Sequence, residues 1–579
     1  MSANGSSPHE AAVPGQGDAN APTPLYIQHY PQGIAWDQPF QPAPLNEMFD
    51  RAVAQNGPRP CVHFLGKITT YDEIGAMVDQ AAAGLQAQGL GKGSKVGLLL
   101  PNCATYIVYY YATLKIGATV VNYNPLYTVE ELTFQVKDSE TTHMVTLDLK
   151  ALFEKVEALL ADGTLQTGII ANFQTLLPSV KKVLFRLFKG KELAQPAASS
   201  VASKLVMDKD LRANGGAFTP ASIDPLNDLA VLQYTGGTTG TPKGAMLTHA
   251  NLDINVKQVL TWAPILEPGQ ERMLGVLPFF HVFAMTGVMN VGLALGCELV
   301  LMPRFVLADA MKLITQTKPT IMPAVPTIFS AMLNDPKLKT YDLTSLKLCL
   351  SGGAPLPLEV KREFERVTSC SIIEAYGLSE TSPGATITPL DGRAKEGSIG
   401  LPIPGTLVSL RDLENIEQEV PQGEKGEICI KGPQVMRGYW NRPQETANTF
   451  VGDYLRTGDV GIMDEEGFIF IVDRIKDLIL CSGYNVYPRR IEEAIYQHSD
   501  VEEVTVIGIK DEYRGEAPKA FIKLKPGSSV DAAAIMAHLE PKLSKIELPS
   551  AIEFRDELPK TMIGKLSKKE LVQEENDKA

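Results

Sequence analysis

Residues 234–244 of the 579-residue chain, Tyr-Thr-Gly-Gly-Thr-Thr-Gly-Thr-Pro-Lys-Gly, follow an apolar, strand-like run, Leu229, Ala230, Val231 and Leu232. Glycines let backbone N–H groups turn toward an anion, threonine hydroxyls add donors, and Lys243 adds charge. Four glycines, four threonines and one lysine within residues 235–244 form the donor set that a triphosphate needs. The loop is not of the Walker type, because no Gly-Lys-Ser/Thr closes it. A second lysine, Lys565, stands in Leu-Pro-Lys-Thr-Met-Ile-Gly-Lys-Leu at 558–566. Alone it reads as a solvated surface group, since Pro559 takes the place where a Walker loop needs glycine.

These residues must be carried by a fold, and alternation along the chain indicates which. An apolar run at 95–100, a helix-like stretch at 105–116 and a β-branched run at 118–122 read strand, helix, strand. The pattern returns at 130–147, 299–322 and 346–375. The expected class is therefore α/β: a large composite N-terminal α/β domain with mostly parallel sheets. After Asp473-Arg474 the texture turns to short strands and short helices, the first helix opened by Pro488 at N1. A small C-terminal α+β domain is expected from about Lys476. The expected divisions are a disordered leader at 1–24, a large domain at 25–475 and a small one at 476–579.

Composition sets the remaining bounds. A net charge of -13 argues against general nucleic-acid binding, which requires a basic face. Seven cysteines stand singly, with no C-x-x-C pair, so neither structural zinc nor a disulfide framework is expected. The leader is polar, with no apolar signal core, which fits a cytoplasmic protein. Residues 273–297 carry no Asp, Glu, Lys or Arg and are long enough to span a bilayer. Pro278 would leave a turn unsatisfied in lipid, so a buried strand and helix fit better.

Residues 179–191 put Val180, Val183, Leu184, Leu187 and Phe188 on one helical face and Lys181, Lys182, Arg186 and Lys189 opposite. That is the spacing of a basic amphipathic helix on an anionic membrane, and equally of a surface helix docked on its own protein. Both readings stay open at this point, as does a homodimer.

Taken in order, the segments YTGGTTGTPKG at 234, SGGAPL at 351, YGLSET at 376, GEICIKGPQVMRGYW at 426, YLRTGDVG at 454, DRIKDLILCSGYNVYP at 473 and LPKTMIGKL at 558 resemble the adenylate-forming enzymes. That superfamily includes acyl-CoA synthetases, aryl-CoA ligases and peptide-synthetase adenylation domains. The likeness runs from about Asn46 to Leu571. It is strongest to bacterial long-chain fatty-acid CoA ligases, through VVNYNPLYTVEEL at 120, GAMLTHANL at 244, GSIGLPIPG at 397 and RDELPKTMIGKL at 555.

The resemblance implies an ATP-dependent ligase that makes an acyl adenylate from a fatty acid and passes the acyl group to CoA. Thr235, Gly236, Gly237, Thr238, Thr239, Gly240 and Lys243 would hold phosphates, and Glu380 would help hold Mg²⁺. Gly352, Gly353, Ala354, Pro355, Tyr376, Gly377 and Thr381 would line the adenine side, with Asp459 and Arg474 on the ribose. Lys565 would balance charge in the first half-reaction. A hinge at Lys476 would then bring Ser482, Gly483 and Tyr484 toward the CoA arm. His281 matches a position near the acid's entrance, with a buried structural histidine as the alternative. Three departures stand out: Tyr454 where tryptophan is usual, Arg456 where histidine is usual, and Arg490 where glutamate is usual, the last expected to alter inter-domain pairing. A medium-chain or aryl ligase, a ligase feeding a carrier protein, and a non-catalytic binding protein remain alternatives.

Overall fold

The computed structural model describes residues 24–214, 216–235, 242–511, 513–561 and 564–578. The leader at 1–23 and loop residues Gly236, Gly237, Thr238, Thr239 and Gly240 lie outside the described residues.

The alternating runs become two large sheets. A seven-stranded sheet has the order Leu205–Met207, Thr167–Ala171, His143–Leu147, Lys95–Leu98, Thr119–Asn122, Leu229–Thr235, Lys243–Thr248. All its pairings are parallel except the last, which folds back across the glycine-rich loop with Thr235 opposite Lys243. The central strands are buried along their whole length, as expected when helices cover both faces of a parallel sheet. A nine-stranded sheet runs from Leu401–Pro402 through Gly384–Ile387, Ser371–Gly377, Leu348–Gly352, Ile321–Ala324, Arg272–Gly275 and Glu298–Leu301 to the hairpin Pro60–Phe64 and Lys67–Thr70. It is parallel between Pro60–Phe64 and Ser371–Gly377, with antiparallel strands at both edges.

Helices Tyr71–Ala87 and Ala104–Lys115 belong to one apolar cluster that reaches into both large sheets. The second helix is buried at every position. Helix starts follow local chemistry: Thr70 with Glu73, Thr128 with Glu131 and Thr248 with Asn251 each form a reciprocal capping box, and each cap contributes about 1 kcal/mol.

The uncharged stretch at 273–297 forms the strand Arg272–Gly275 and then a buried helix interrupted at Met285–Asn290 by π geometry. Among the described residues no helix is long and apolar enough to cross a membrane. The buried strand and helix were the better reading of those charge-free residues.

A five-stranded sheet built on Gly426–Lys431 and Tyr454–Met463 leads into a last sheet formed by Tyr484–Val486, Ile479–Cys481, Gly515–Leu524, Val501–Asp511 and Ala551–Phe554. That last sheet packs on its own apolar cluster, including Ile491, Ile495, Val506, Ile522 and Leu539. A separate core is what marks a separate folding unit, and helix Pro488–Tyr496 opens with proline at N1 as expected. Arg490, the charge-reversed position, meets Glu547 at 3.2 Å inside this unit and lies near enough to Lys425 to repel it.

Candidate active site

A cavity of about 630 Å³ opens where these pieces meet. Three strands present their carboxyl ends to it: Leu229–Thr235 through Thr235, Leu348–Gly352 through Gly352, and Ser371–Gly377 through Tyr376 and Gly377. Ligands of open α/β sheets bind at that edge, where backbone groups are freed by the strand ends. The third sheet adds Glu427, Arg456 and Thr457, and the C-terminal unit adds Lys565.

Lys565 enters over Gly353, whose φ is +83°. A Cβ at Gly353 would fall 2.4 Å from Lys565 Cε and 2.8 Å from Nζ, so the close approach depends on glycine. Across the junction Thr327 Oγ1 donates to the Gly564 carbonyl at 2.6 Å, fixing the chain just before the lysine. Burial, followed by the nearby Arg474 guanidinium, pulls the Lys565 ammonium down to about 8. Asp459 offsets only part of that destabilisation, so a further anion in the cavity would be favourable to the ammonium.

Asp459 and Arg474 face each other across paired strands, with Arg474 Nε 2.9 Å from Asp459 Oδ1. Tyr376 donates its hydroxyl to Asp459 Oδ2 at 2.7 Å. Asp459 is thus buried behind the wall, while Tyr376 and Arg474 form the wall itself. Burial and then Asp459 raise the Tyr376 phenol well above its ordinary range, so it stays a donor.

Glu380 lines the cavity, its Oε1 accepting from the Tyr439 hydroxyl at 2.7 Å and its carbonyl from Met436 N–H at 2.7 Å. Lys243 Nζ lies 5.4 Å from the centre of the Tyr439 ring. Tyr439 was not singled out from the sequence, although it stands within the 426–440 segment. Its part follows only from the fold, which brings it to Glu380 across 59 positions. Glu427 was also missed: its carboxylate takes Arg456 at 2.8 Å and the Gly458 N–H at 3.0 Å. Arg456 therefore sits in the wall, whereas Tyr454 packs under Arg411 at 5.1 Å outside it.

His281 lines the cavity and caps the short helix Val282–Ala284, its Nδ1 accepting the Phe283 N–H at 3.2 Å. That bond leaves the proton on Nε2. Burial and then Lys565 push the ring down to about 3, so it is neutral. An apolar part of the wall, Val259, Val282, Phe283, Leu350 and Ile387, adjoins it.

Ala354, Pro355 and Thr381 do not line the cavity. Thr381 instead stabilises the turn from within, accepting the Leu378 N–H at 2.9 Å. Lys476 reaches the wall, but Ser482, Gly483 and Tyr484 lie outside it, with Tyr484 65% exposed.

Residues 49–440 match the AMP-binding enzyme family and residues 490–565 match the AMP-binding enzyme C-terminal domain. The chain belongs to the AMP-binding enzymes. It is 41% identical over 564 residues to a long-chain-fatty-acid–CoA ligase of Bacillus subtilis strain 168, covering 95% of this chain and 98% of that protein. A ligase of the same description from Yersinia pestis is 36% identical over 558 residues, covering 95% and 98%. The fold is similar to the crystal structure of ATP-bound MatB from Rhodopseudomonas palustris, with a TM-score of 0.79 and 28% identity over 92% of this chain and 99% of that one.

Proposed function

We propose that the chain is an ATP-dependent long-chain fatty acid:CoA ligase, converting fatty acid, ATP and CoA to acyl-CoA, AMP and pyrophosphate. The observation that carries this reading is the insertion of Lys565 from the C-terminal unit over Gly353, next to the Asp459–Arg474 pair. A carboxylate resists nucleophilic attack because of its own charge. Its oxygen first attacks the α-phosphorus of ATP, the bond to pyrophosphate breaks, and the mixed anhydride is the activated acid.

Thr235 and Lys243, with the loop between them, hold the β- and γ-phosphates. The Lys565 ammonium neutralises charge that builds on the α-phosphate and carboxylate oxygens, an effect of roughly a hundredfold to a thousandfold in rate. Tyr376, supported by Asp459, presents its ring to the base, and Arg474, held by Asp459 from behind the wall, serves the ribose hydroxyls. Neutral His281 offers its Nε2–H beside the apolar wall where the acid would lie.

Glu380 suits Mg²⁺, a hard ion that takes one carboxylate beside water and phosphate oxygens, and the Tyr439 bond engages only Oε1. When bound there with ATP, the ion supplies charge neutralisation to the phosphates.

Thioester formation then needs the CoA sulfur to attack the adenylate carbonyl, with AMP leaving. For that step the C-terminal unit turns about Lys476, withdrawing Lys565 and bringing Ser482, Gly483 and Tyr484 inward. Their exposed position while Lys565 is seated matches the first half-reaction.

Chain length tests the acid. Each buried methylene contributes ~0.8 kcal/mol, or about fourfold in affinity, so KM should fall steadily from octanoate to oleate. A minimum at an aryl or medium-chain acid would transfer the assignment to that class.

A further inference from the structure

The basic amphipathic segment forms the helix Ser179–Lys189, and the structure shows which way it faces. No residue of it is buried. Val180 is 72% exposed, Leu187 72% and Phe188 80%, with Val183 and Leu184 also exposed. At 100° per residue these five side chains occupy one arc of roughly 140°. The helix is attached through other positions. Phe185 tilts against Phe173 at 5.0 Å between ring centres, and Lys181 Nζ donates to the Leu65 carbonyl at 2.8 Å. Leu65 belongs to the turn after strand Pro60–Phe64, and the following strand exposes Ile68 and ties Lys67 Nζ to the Thr175 carbonyl at 2.7 Å. The apolar arc is therefore held away from the body of the protein, which contradicts docking of that arc on its own chain.

Charge identifies what covers the arc. Residues 179–192 carry Lys181, Lys182, Arg186, Lys189 and Lys191 against the single acid Glu192, which meets Lys189 at 3.3 Å, in a chain of net charge -13. A second copy meeting this face symmetrically would set these cations against the same cations. An anionic lipid surface satisfies both halves of the pattern, taking the apolar arc among its acyl chains and the ammonium and guanidinium groups among its phosphates.

We infer that the helix Ser179–Lys189 is a peripheral docking surface for anionic phospholipid membranes. Its apolar arc lies in the interfacial layer, while Arg186 beside the arc and the long side chains of the opposite face reach phosphate headgroups. Docking is independent of turnover, so it stands or falls separately from the acid the active site takes.

The experiment is flotation of the full chain with vesicles of phosphatidylcholine alone and of an equal mixture with phosphatidylglycerol. Three proteins are compared: the wild type, K182Q/R186Q/K189Q and V183S/L187S/F188S. These side chains are all exposed, so both variants should fold, as checked by melting temperature and by AMP release with a short, soluble acid. The expected result is wild-type binding to the mixed vesicles only, released by high salt, with each variant bound at least about tenfold less. Equal binding by either variant, equal binding to both vesicle types, or a salt-insensitive complex would overturn the inference. So would a self-associated wild type that does not float and that the serine variant renders monomeric, since a second copy would then be the occupant.

Discussion

Lys565 lies over Gly353 so closely that a methyl group there would meet its Cε at 2.4 Å. Gly353→Ala should therefore push the lysine tip aside and, at φ +83°, also strain the nucleotide side of the site, slowing both half-reactions. Lys565→Ala is the selective change: ATP–pyrophosphate exchange is expected to fall about a hundredfold, and thioester formation from supplied palmitoyl adenylate to change little. Equal loss of both half-reactions in Lys565→Ala would remove the lysine from its assigned half-reaction.

The pH dependence follows from the same seat. Burial and Arg474 lower the ammonium to about 8, so its charge is complete below that pH and is lost as pH rises through it. In the exchange reaction, kcat/KM for ATP should decline above pH 8 by about tenfold per unit. Lys565→Arg should flatten that limb at a lower plateau, because guanidinium keeps its proton. An unchanged limb in the arginine variant would assign the titration elsewhere.

Tyr439 positions Glu380 through a 2.7 Å bond to one carboxylate oxygen. Removing only that hydroxyl, in Tyr439→Phe, should weaken the Mg²⁺ dependence of ATP binding several-fold by calorimetry, while binding of ATP without the ion stays constant. A uniform loss under both conditions would mean that the tyrosine serves packing alone.

Glu374, on the strand Ser371–Gly377, is raised by burial to about 7 despite Arg489 and Lys361 nearby. A folded value above the ordinary 4.5 means that the neutral form suits the fold. The stabilisation is complete below about pH 4.5 and lost as pH rises through 7. Glu374→Gln should raise stability by about 3 kcal/mol at pH 8 and change it little at pH 4.5, as read by chemical denaturation. Destabilisation at pH 8 would show that the carboxylate works there as a paired anion.

Much of this was legible in the sequence because it is local. Alternation of apolar runs with helical stretches marks parallel strands, and the glycine-rich segment and its ordered companions mark the nucleotide side. Lys565 could be lifted above a surface lysine only by that order. The roles of Tyr439 and Glu427 were not legible, since each depends on a partner brought across a sheet by the fold. Asp459 reads as a ligand in sequence, yet in space it first orients Tyr376 and Arg474. Periodicity likewise shows that residues 179–189 carry an apolar stripe, but not that Phe185 and Lys181 turn inward.

The most direct measurement of the central claim is AMP release by the purified chain with palmitate, ATP and Mg²⁺, in the presence and absence of CoA. Multiple turnovers of AMP with CoA, and no more than a single equivalent of pyrophosphate without it, are the predicted result. AMP accumulating equally without CoA, or no palmitate-dependent AMP under either condition, would contradict it.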